Sequence, residues 1–403
     1  MRILFPCSYY KPAYIYGGPV RSVSLLCEGM VKIGAQITVL ATNANGPGRV
    51  LDVPVCQPLN VGGVQVYYFP ISLPLANFYP FYSPILGRAC EGMVSQFDAV
   101  YIGGNWTYPV LKGGKASIRN HIPYVISPRG GLMTWPMREK GLRKRIYLEL
   151  LERQIINSAA VIHTTSLLEK QQMQKWHFKP PVTTIPNGID LTPYTILPER
   201  GNLKSLLNIP DNSTISLFVG RLHKTKRLCL TIDAFASFAR GNKDAHLVIV
   251  GQDEDGSGKA AQEKVIRLGL TDQVHFTGQL SGIDLIQAYV DADMLVLISY
   301  NENFGMAAVE AMAMGLPLLL SKEVGLASDV EKANAGIVVT ANLVEVGIAW
   351  KNILSNRELR KEMGKNGKQL VQERFVSENV ANRMLELFVT IIGKNRQPYT
   401  YYG

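Results

Sequence analysis

The sequence has no uninterrupted apolar run near the roughly 18 residues that a membrane-spanning helix requires. The apolar stretch after Arg2 stops at Pro6, too short for a secretory core. Together these absences predict a cytoplasmic protein that meets a membrane, if at all, at its inner face. Cysteine is sparse: Cys7, Cys27, Cys56, Cys90 and Cys229 are odd in number, scattered and never in a C-x-x-C pair. That excludes a disulfide framework and a zinc site and predicts five reduced core residues. No G-x-G-x-x-G follows the first apolar run, which argues against NAD. Zinc-finger and RNP aromatic motifs are missing too, and with them the case for nucleic acid. Without a secretory signal, Asn105-Trp106-Thr107 and Asn212-Ser213-Thr214 read as accidental glycosylation matches. There is no internal repeat or low-complexity tract.

What is present is an ordinary globular α/β composition, 47% hydrophobic and 18% charged with 36 glycines. A chain of 403 residues exceeds what one hydrophobic core usually holds, so two domains are expected. The formal charge of +10 implies an anionic partner: nucleotide-sugar phosphates, an anionic membrane surface or nucleic acid. Part of that charge is concentrated in a basic, partly amphipathic helix running from Arg138 to Leu151. The plain reading is a solvated helix face; the sharper one is peripheral contact with an anionic membrane.

The N-terminal half predicts strands at 2–5, 36–40, 64–69, 99–102, 124–127 and 160–163, with a helix from Val20 to Lys32 after a Gly/Pro/Tyr loop. Prolines concentrate at Pro180, Pro181, Pro186, Pro193, Pro198 and Pro210, which places a boundary near Asp190. Beyond it, strands at 215–219, 246–250, 274–276, 294–298 and 318–320 alternate with helices, the pattern of a second parallel sheet. The expected division is 1–190 for a first domain and 191–376 for a second. A closing helix at 377–393 and a tail at 394–403, with three unexplained tyrosines, complete it.

The most informative segment is Ser299-Tyr300-Asn301-Glu302-Asn303-Phe304-Gly305-Met306-Ala307-Ala308-Val309-Glu310, directly after an apolar run. Strand, loop and helix follow in that order, so Glu302 falls in the loop and Glu310 about two turns into the helix. Carboxylates accept from hydroxyls and a helix start attracts anions, a combination suited to a polyol phosphate. Glu302 as a simple helix cap and Glu310 as a surface residue are the plain alternatives. The cation comes from Gly220-Arg221-Leu222-His223-Lys224-Thr225-Lys226, at the mouth of the loop after another strand. Asp253-Glu254-Asp255 and Asp291-Ala292-Asp293 invite a divalent-metal reading, but the first reads as solvated loop and the second leads into a buried strand; no metal is expected. His163 ends a strand and suits either packing or function.

With Gly220-Arg221 and Lys226, the Glu302/Glu310 pair as an E-x7-E motif, Pro186-Asn187-Gly188-Ile189-Asp190, and Gly17-Gly18 after the first strand, the chain resembles the family 4 retaining glycosyltransferases. Bacterial and cyanobacterial exopolysaccharide enzymes are the members it looks like. The resemblance implies the GT-B fold: two Rossmann-like α/β domains, 1–190 on the acceptor side and 191–376 for the nucleotide-sugar donor, whose parallel sheets face each other across a cleft, the last helix crossing back to the first domain. It implies that Arg221 and Lys226 hold the donor pyrophosphate beside Gly220, and that Glu310 takes the ribose hydroxyls. Glu302 with the backbone of Asn303, Phe304, Gly305 and Met306 would take the transferred sugar. Thr277 would line the base pocket, and Gly17 and Gly18 would let the N-terminal loop approach phosphate. Many relatives carry Ser-Pro-His-Gly where this chain has Ser127-Pro128-Arg129-Gly130. Arg129 donates hydrogen bonds but cannot be a base.

The implied activity is retaining, metal-independent hexosyl transfer, glucose from UDP-glucose, to a glycan or lipid-linked oligosaccharide in exopolysaccharide biosynthesis. The UDP-sugar is a substrate and no cofactor is required. The leaving diphosphate would assist acceptor deprotonation on the same face. The alternatives are a GT-B hydrolase, epimerase or phosphorylase acting on a nucleotide sugar, or a non-catalytic nucleotide-sugar-binding or nucleic-acid-binding protein.

Overall fold

The computed structural model describes residues 1–72, 79–139 and 141–396, apart from the side chains of 395 and 396. Two compact units divide it: one runs from Met1 to Ile189 and resumes at Ser377, the other spans Asp190–Val376. The tail tyrosines Tyr399, Tyr401 and Tyr402, and Lys140, lie outside the described residues.

Among its described residues the first unit carries eight strands: β1 (Arg2–Cys7), β2 (Gln36–Thr42), β3 (Pro58–Val61), β4 (Val64–Phe69), β5 (Ala99–Gly103), β6 (Tyr124–Ser127), β7 (Val161–Thr164) and β8 (Val182–Thr184). Their order is β3-β4-β2-β1-β5-β6-β7-β8. The central strands are apolar on both faces and covered by helices, the pattern a buried parallel sheet requires. Ile3 sits opposite Ile37 and Leu4 opposite Val100. The sheet is not wholly parallel as expected: β3 runs antiparallel to β4, joined by a turn at Gly62 and Gly63. Its half-exposed residues carry little apolar signal, so sequence reasoning passed over it.

The helix Ser377–Arg396 completes this unit. Val380, Ala381, Met384, Phe388 and Ile391 join the core of Ile3, Phe5 and Met30. It lies so close to the helix Gly18–Lys32 that a Cβ on Gly29 would come 3.0 Å from that of Ala381. A Cβ on Gly188 would meet Ser377 Cα at 2.9 Å, so the Pro186–Asp190 motif is also the seat of this helix.

The second unit has β9 (Thr214–Val219), β10 (Ala245–Val250), β11 (Val274–Gly278), β12 (Met294–Leu297), β13 (Leu318–Ser321) and β14 (Gly336–Val339), ordered β11-β10-β9-β12-β13-β14 and parallel throughout. Trp350, fully buried, donates its indole N–H to Ser216 on β9 at 2.9 Å and packs on Phe235. Among the described residues no helix is long and apolar enough to cross a membrane.

Candidate active site

In both units the strand order reverses next to the first strand: between β1 and β5 in one, between β9 and β12 in the other. Loops leaving two such strands diverge to opposite faces and open a crevice at the carboxyl ends, where ligands of open α/β sheets bind. Gly220, Arg221, Lys226 and Glu302 lie in the loops that follow β9 and β12, and Gly17 and Gly18 follow β1; Arg129 follows β6, Glu310 is helical and Thr277 is on the edge strand β11.

In the second unit, the loop after β9 ends in a tight turn, Lys224–Lys226, and the loop after β12 carries Glu302. Adjacency of the strands joins residues 76 apart in sequence. The Lys226 ammonium forms an ion pair with Glu302, its side chain only 10% exposed. Tyr300 N–H donates to the Thr225 carbonyl at 2.7 Å, and the Arg227 guanidinium stacks 4.2 Å above the Tyr300 ring. The backbone around Glu302 is fixed as well: its N–H donates to Glu323, and its carbonyl accepts from Gly325 at 2.8 Å.

Glu302 caps no helix. The helix is Met306–Ala313 and its cap is Gly305, at φ +100°. Only glycine is comfortable in that left-handed conformation, and with no side chain it leaves the leading N–H groups uncontested. A Cβ placed there would come 3.6 Å from the Glu302 side chain, so Glu302 lies against the helix start. Phe304 is buried edge-on against Phe375. Glu310 is the fifth helical residue, just over one turn in rather than two. Its carboxylate is half-buried and accepts from the Tyr289 hydroxyl at 2.7 Å. Tyr289, on the helix Gly282–Asp291, had no sequence signal beyond being a buried aromatic with a polar tip.

Arg221 is turned outward. Its guanidinium forks onto Glu254 at 2.8 and 3.0 Å with 68% of the side chain exposed. Gly220 borders Lys226, whose Cε would lie 3.9 Å from an added Cβ. Thr277, on edge strand β11, donates its hydroxyl to the Gly278 carbonyl at 3.0 Å.

The two acidic triplets prove to be architecture. Far from being merely solvated, Asp253 accepts from Gly256 and Lys259 N–H at 3.0 Å, and Asp255 accepts from Lys224 N–H while lying 3.4 Å from His223 Nε2. Asp253 thus orders the loop after β10, and Asp255 fastens the Lys226 turn to it. Asp291 is wholly buried and accepts from Gly201 and Leu203 N–H, and Asp293 accepts from Ile215 N–H. Among the described residues no three His, Cys, Asp or Glu side chains gather as a metal site would need.

In the first unit a cavity of about 220 Å³ opens at the switch point, among Ser8 and Tyr9 after β1, Asn105 and Trp106 after β5, and Arg129 after β6. Arg129 adopts φ +48°, uncommon for a residue other than glycine, and its guanidinium donates to Tyr101 Oη at 3.0 Å, Ser22 Oγ at 3.1 Å and Asn187 Oδ1 at 3.4 Å. Two motifs quoted from sequence therefore meet at this residue. Tyr101 in turn donates to His163 Nδ1 at 2.9 Å, because His163 Nε2–H is committed to the Ile185 carbonyl at 2.8 Å. Burial, aided by Arg129, depresses His163 to about 3. It is a neutral strut in a wholly buried position, which decides for packing. Gly17, at φ +69°, and Gly18 begin the Gly18–Lys32 helix, with open space where a Cβ would stand.

Two buried carboxylates escaped sequence reasoning. Glu169 accepts from Gly130 N–H at 2.5 Å and Thr165 N–H at 2.8 Å, shaping the turn that presents Arg129. Glu152 accepts from Trp106 N–H at 2.6 Å and Asn105 Nδ2 at 3.2 Å, and burial raises it to about 7. It lies in a π-helical turn, Leu148–Glu152, a widening that directs the carboxylate inward and has no sequence signature. Cys7, Cys27 and Cys90 are buried as expected, Cys229 is half-buried, but Cys56 is exposed.

A profile described as "Glycosyl transferase 4-like domain" matches residues 17–188, and one described as "Glycosyl transferases group 1" matches 199–370. The chain belongs to the family 4 glycosyltransferases. This glycosyltransferase is 27% identical over 393 residues to an uncharacterized glycosyltransferase of Methanocaldococcus jannaschii, covering 94% of this chain and 95% of that one. Its fold is that of the GT-B enzymes. Sucrose-phosphate synthase of Thermosynechococcus elongatus superimposes with a TM-score of 0.76 at 22% identity, over 98% of this chain and all of that one. Anabaena HepE, solved in complex with UDP-glucose, gives 0.75 at 21%, over 97% and 100%.

Proposed function

We propose that this glycosyltransferase transfers glucose from UDP-glucose, with retention and without a metal ion, to a glycan or lipid-linked oligosaccharide in exopolysaccharide biosynthesis. The observation that carries the reading is the Lys226–Glu302 pair at the glycine-capped start of the Met306–Ala313 helix. A cation and a carboxylate that neutralise each other are both exchangeable: diphosphate can take the ammonium while sugar hydroxyls take the carboxylate. The helix start adds partial positive charge on the phosphate side. Arg221 can join, since an exposed pair such as Arg221–Glu254 is worth only about 0–1 kcal/mol. Glu310, held by Tyr289, is assigned to the ribose, and Thr277 to the edge of the base pocket. The first-unit cavity, lined by Arg129 and uncharged side chains, suits the acceptor.

The transfer breaks the bond from the sugar's anomeric carbon to the diphosphate oxygen and forms one to the acceptor oxygen on the same face. The acceptor proton passes to the departing diphosphate. Charge grows on the leaving group as the bond breaks, so Lys226 contributes most in the transition state. Similarity to HepE, solved with UDP-glucose, favours that donor.

The test is calorimetric titration of UDP, GDP and ADP, then UDP-glucose and GDP-mannose, in chelator. UDP and UDP-glucose should bind. Glu310→Ala should weaken UDP at least about tenfold, the loss of one charge-assisted hydrogen-bond pair. Glu302→Ala should spare UDP but lose the added affinity and turnover of UDP-glucose. Equal losses for UDP in both variants would refute the division of roles.

A further inference from the structure

We propose that the helical run beginning at Gly141 docks the first unit on an anionic lipid surface. It comprises the helix Gly141–Tyr147, the π turn Leu148–Glu152 and the helix Arg153–Asn157. Leu148, Ile155 and Ile156 face the core, as the covered side of an amphipathic helix should. The outer side is apolar as well: Leu142, Ile146 and Leu150 are 75%, 50% and 77% exposed. Their i, i+4, i+8 spacing stacks them in one stripe. A solvated face gains nothing from three large aliphatic side chains in register.

The charges identify the occupant. On a helical projection Arg143 and Arg145 fall on opposite flanks of the stripe, both exposed, and exposed Arg138 precedes it. Among the described residues no carboxylate pairs with these three arginines. Of the nearby acids, Glu139 is exposed beside Arg138, Glu149 is held by Arg153 at 2.5 Å, and Glu152 points inward. Lys144 is directed back to the Pro136 carbonyl. An aliphatic stripe between guanidinium rows matches the acyl–headgroup boundary of an anionic bilayer, where the chains enter and the arginines meet phosphate. The run lies in the interface and does not span.

The full chain is sedimented with sucrose-loaded vesicles of phosphatidylcholine alone or mixed with phosphatidylglycerol, and its UDP affinity is measured in parallel. The chain should bind only the mixed vesicles, and less tightly at high salt. Arg143→Gln with Arg145→Gln should lower the partition constant about thirtyfold, two basic residues at about fivefold each. Leu142→Ser, Ile146→Ser and Leu150→Ser together should abolish binding while leaving UDP affinity and the thermal midpoint unchanged, since all three lie outside the core. Equal sedimentation of the variants, or no preference for the anionic lipid, would overturn the proposal. So would a dimer in light scattering that disappears in the triple variant, because a second copy would then be what covers the stripe. Since UDP binding is read separately, failure here leaves the donor assignment standing.

Discussion

At the residue scale, this glycosyltransferase relies on buried ionisable side chains held by backbone groups. Glu152 is the sharpest case, because burial raises its carboxyl to about 7. The folded state therefore holds a proton that the unfolded chain, titrating near 4.5, releases. The Glu152 contribution is most favourable below that lower value and declines as pH rises through the window up to about 7. His163 works oppositely: depressed to about 3, it contributes stability that is lost as pH falls from about 6.5. Glu152→Gln should remove only the first dependence. The stability difference, wild type minus variant, should thus fall between pH 4.5 and 7 by on the order of 2–3 kcal/mol. Denaturant titrations across that range measure it; a constant difference would contradict the buried, protonated carboxyl. At this scale sequence reasoning was most limited. The placement of Lys226 and Glu302 in loops after strands, and of Glu310 in the helix that follows, was legible from the order of the segments. Glu152, Glu169, Tyr101 and Tyr289 were not, because their roles come from partners 18 to 62 residues away rather than from local pattern.

At the element scale, the long apolar strands were legible, and β12 with its following loop most clearly. The strands that went unread, β3, β8 and β14, are three or four residues long and half-exposed along most of their length. The single helix expected from Arg138 to Leu151 is broken: a short helix, Thr134–Arg138, precedes the run that begins at Gly141. The closing helix extends to Arg396, beyond the predicted 393: it runs straight through Gly393, which therefore does not act as a stop. Its worth to the first unit can be measured. Phe388 is fully buried there, so Phe388→Ala should cost about 3–5 kcal/mol, read as a lowered denaturation midpoint. A loss below about 1 kcal/mol would mean that the helix is only loosely seated.

At the scale of the whole molecule, two sheets with separate cores predict two thermal transitions rather than one. With the residues proposed to hold UDP, Gly220, Arg221, Lys226, Thr277 and Glu310, lying in Asp190–Val376, UDP at a hundred times its dissociation constant should stabilise one transition by about 2.7 kcal/mol and leave the other near its original midpoint. Calorimetric scans with and without UDP decide this; equal displacement of both would show the units melting as one. The order of the chain adds a timing constraint. The first unit is interrupted at Ile189 and completed only from Ser377, after the 187 residues from Asp190 to Val376. At about 5–20 residues per second a ribosome needs roughly 10–40 s to make that insertion. Throughout that interval the nascent first sheet displays the apolar seat around Leu26, Met30 and Ile3 with its covering helix not yet made, while the second unit can already close. Newborn chains should therefore be captured by apolar-binding chaperones through the first unit, and released only once the final helix has emerged.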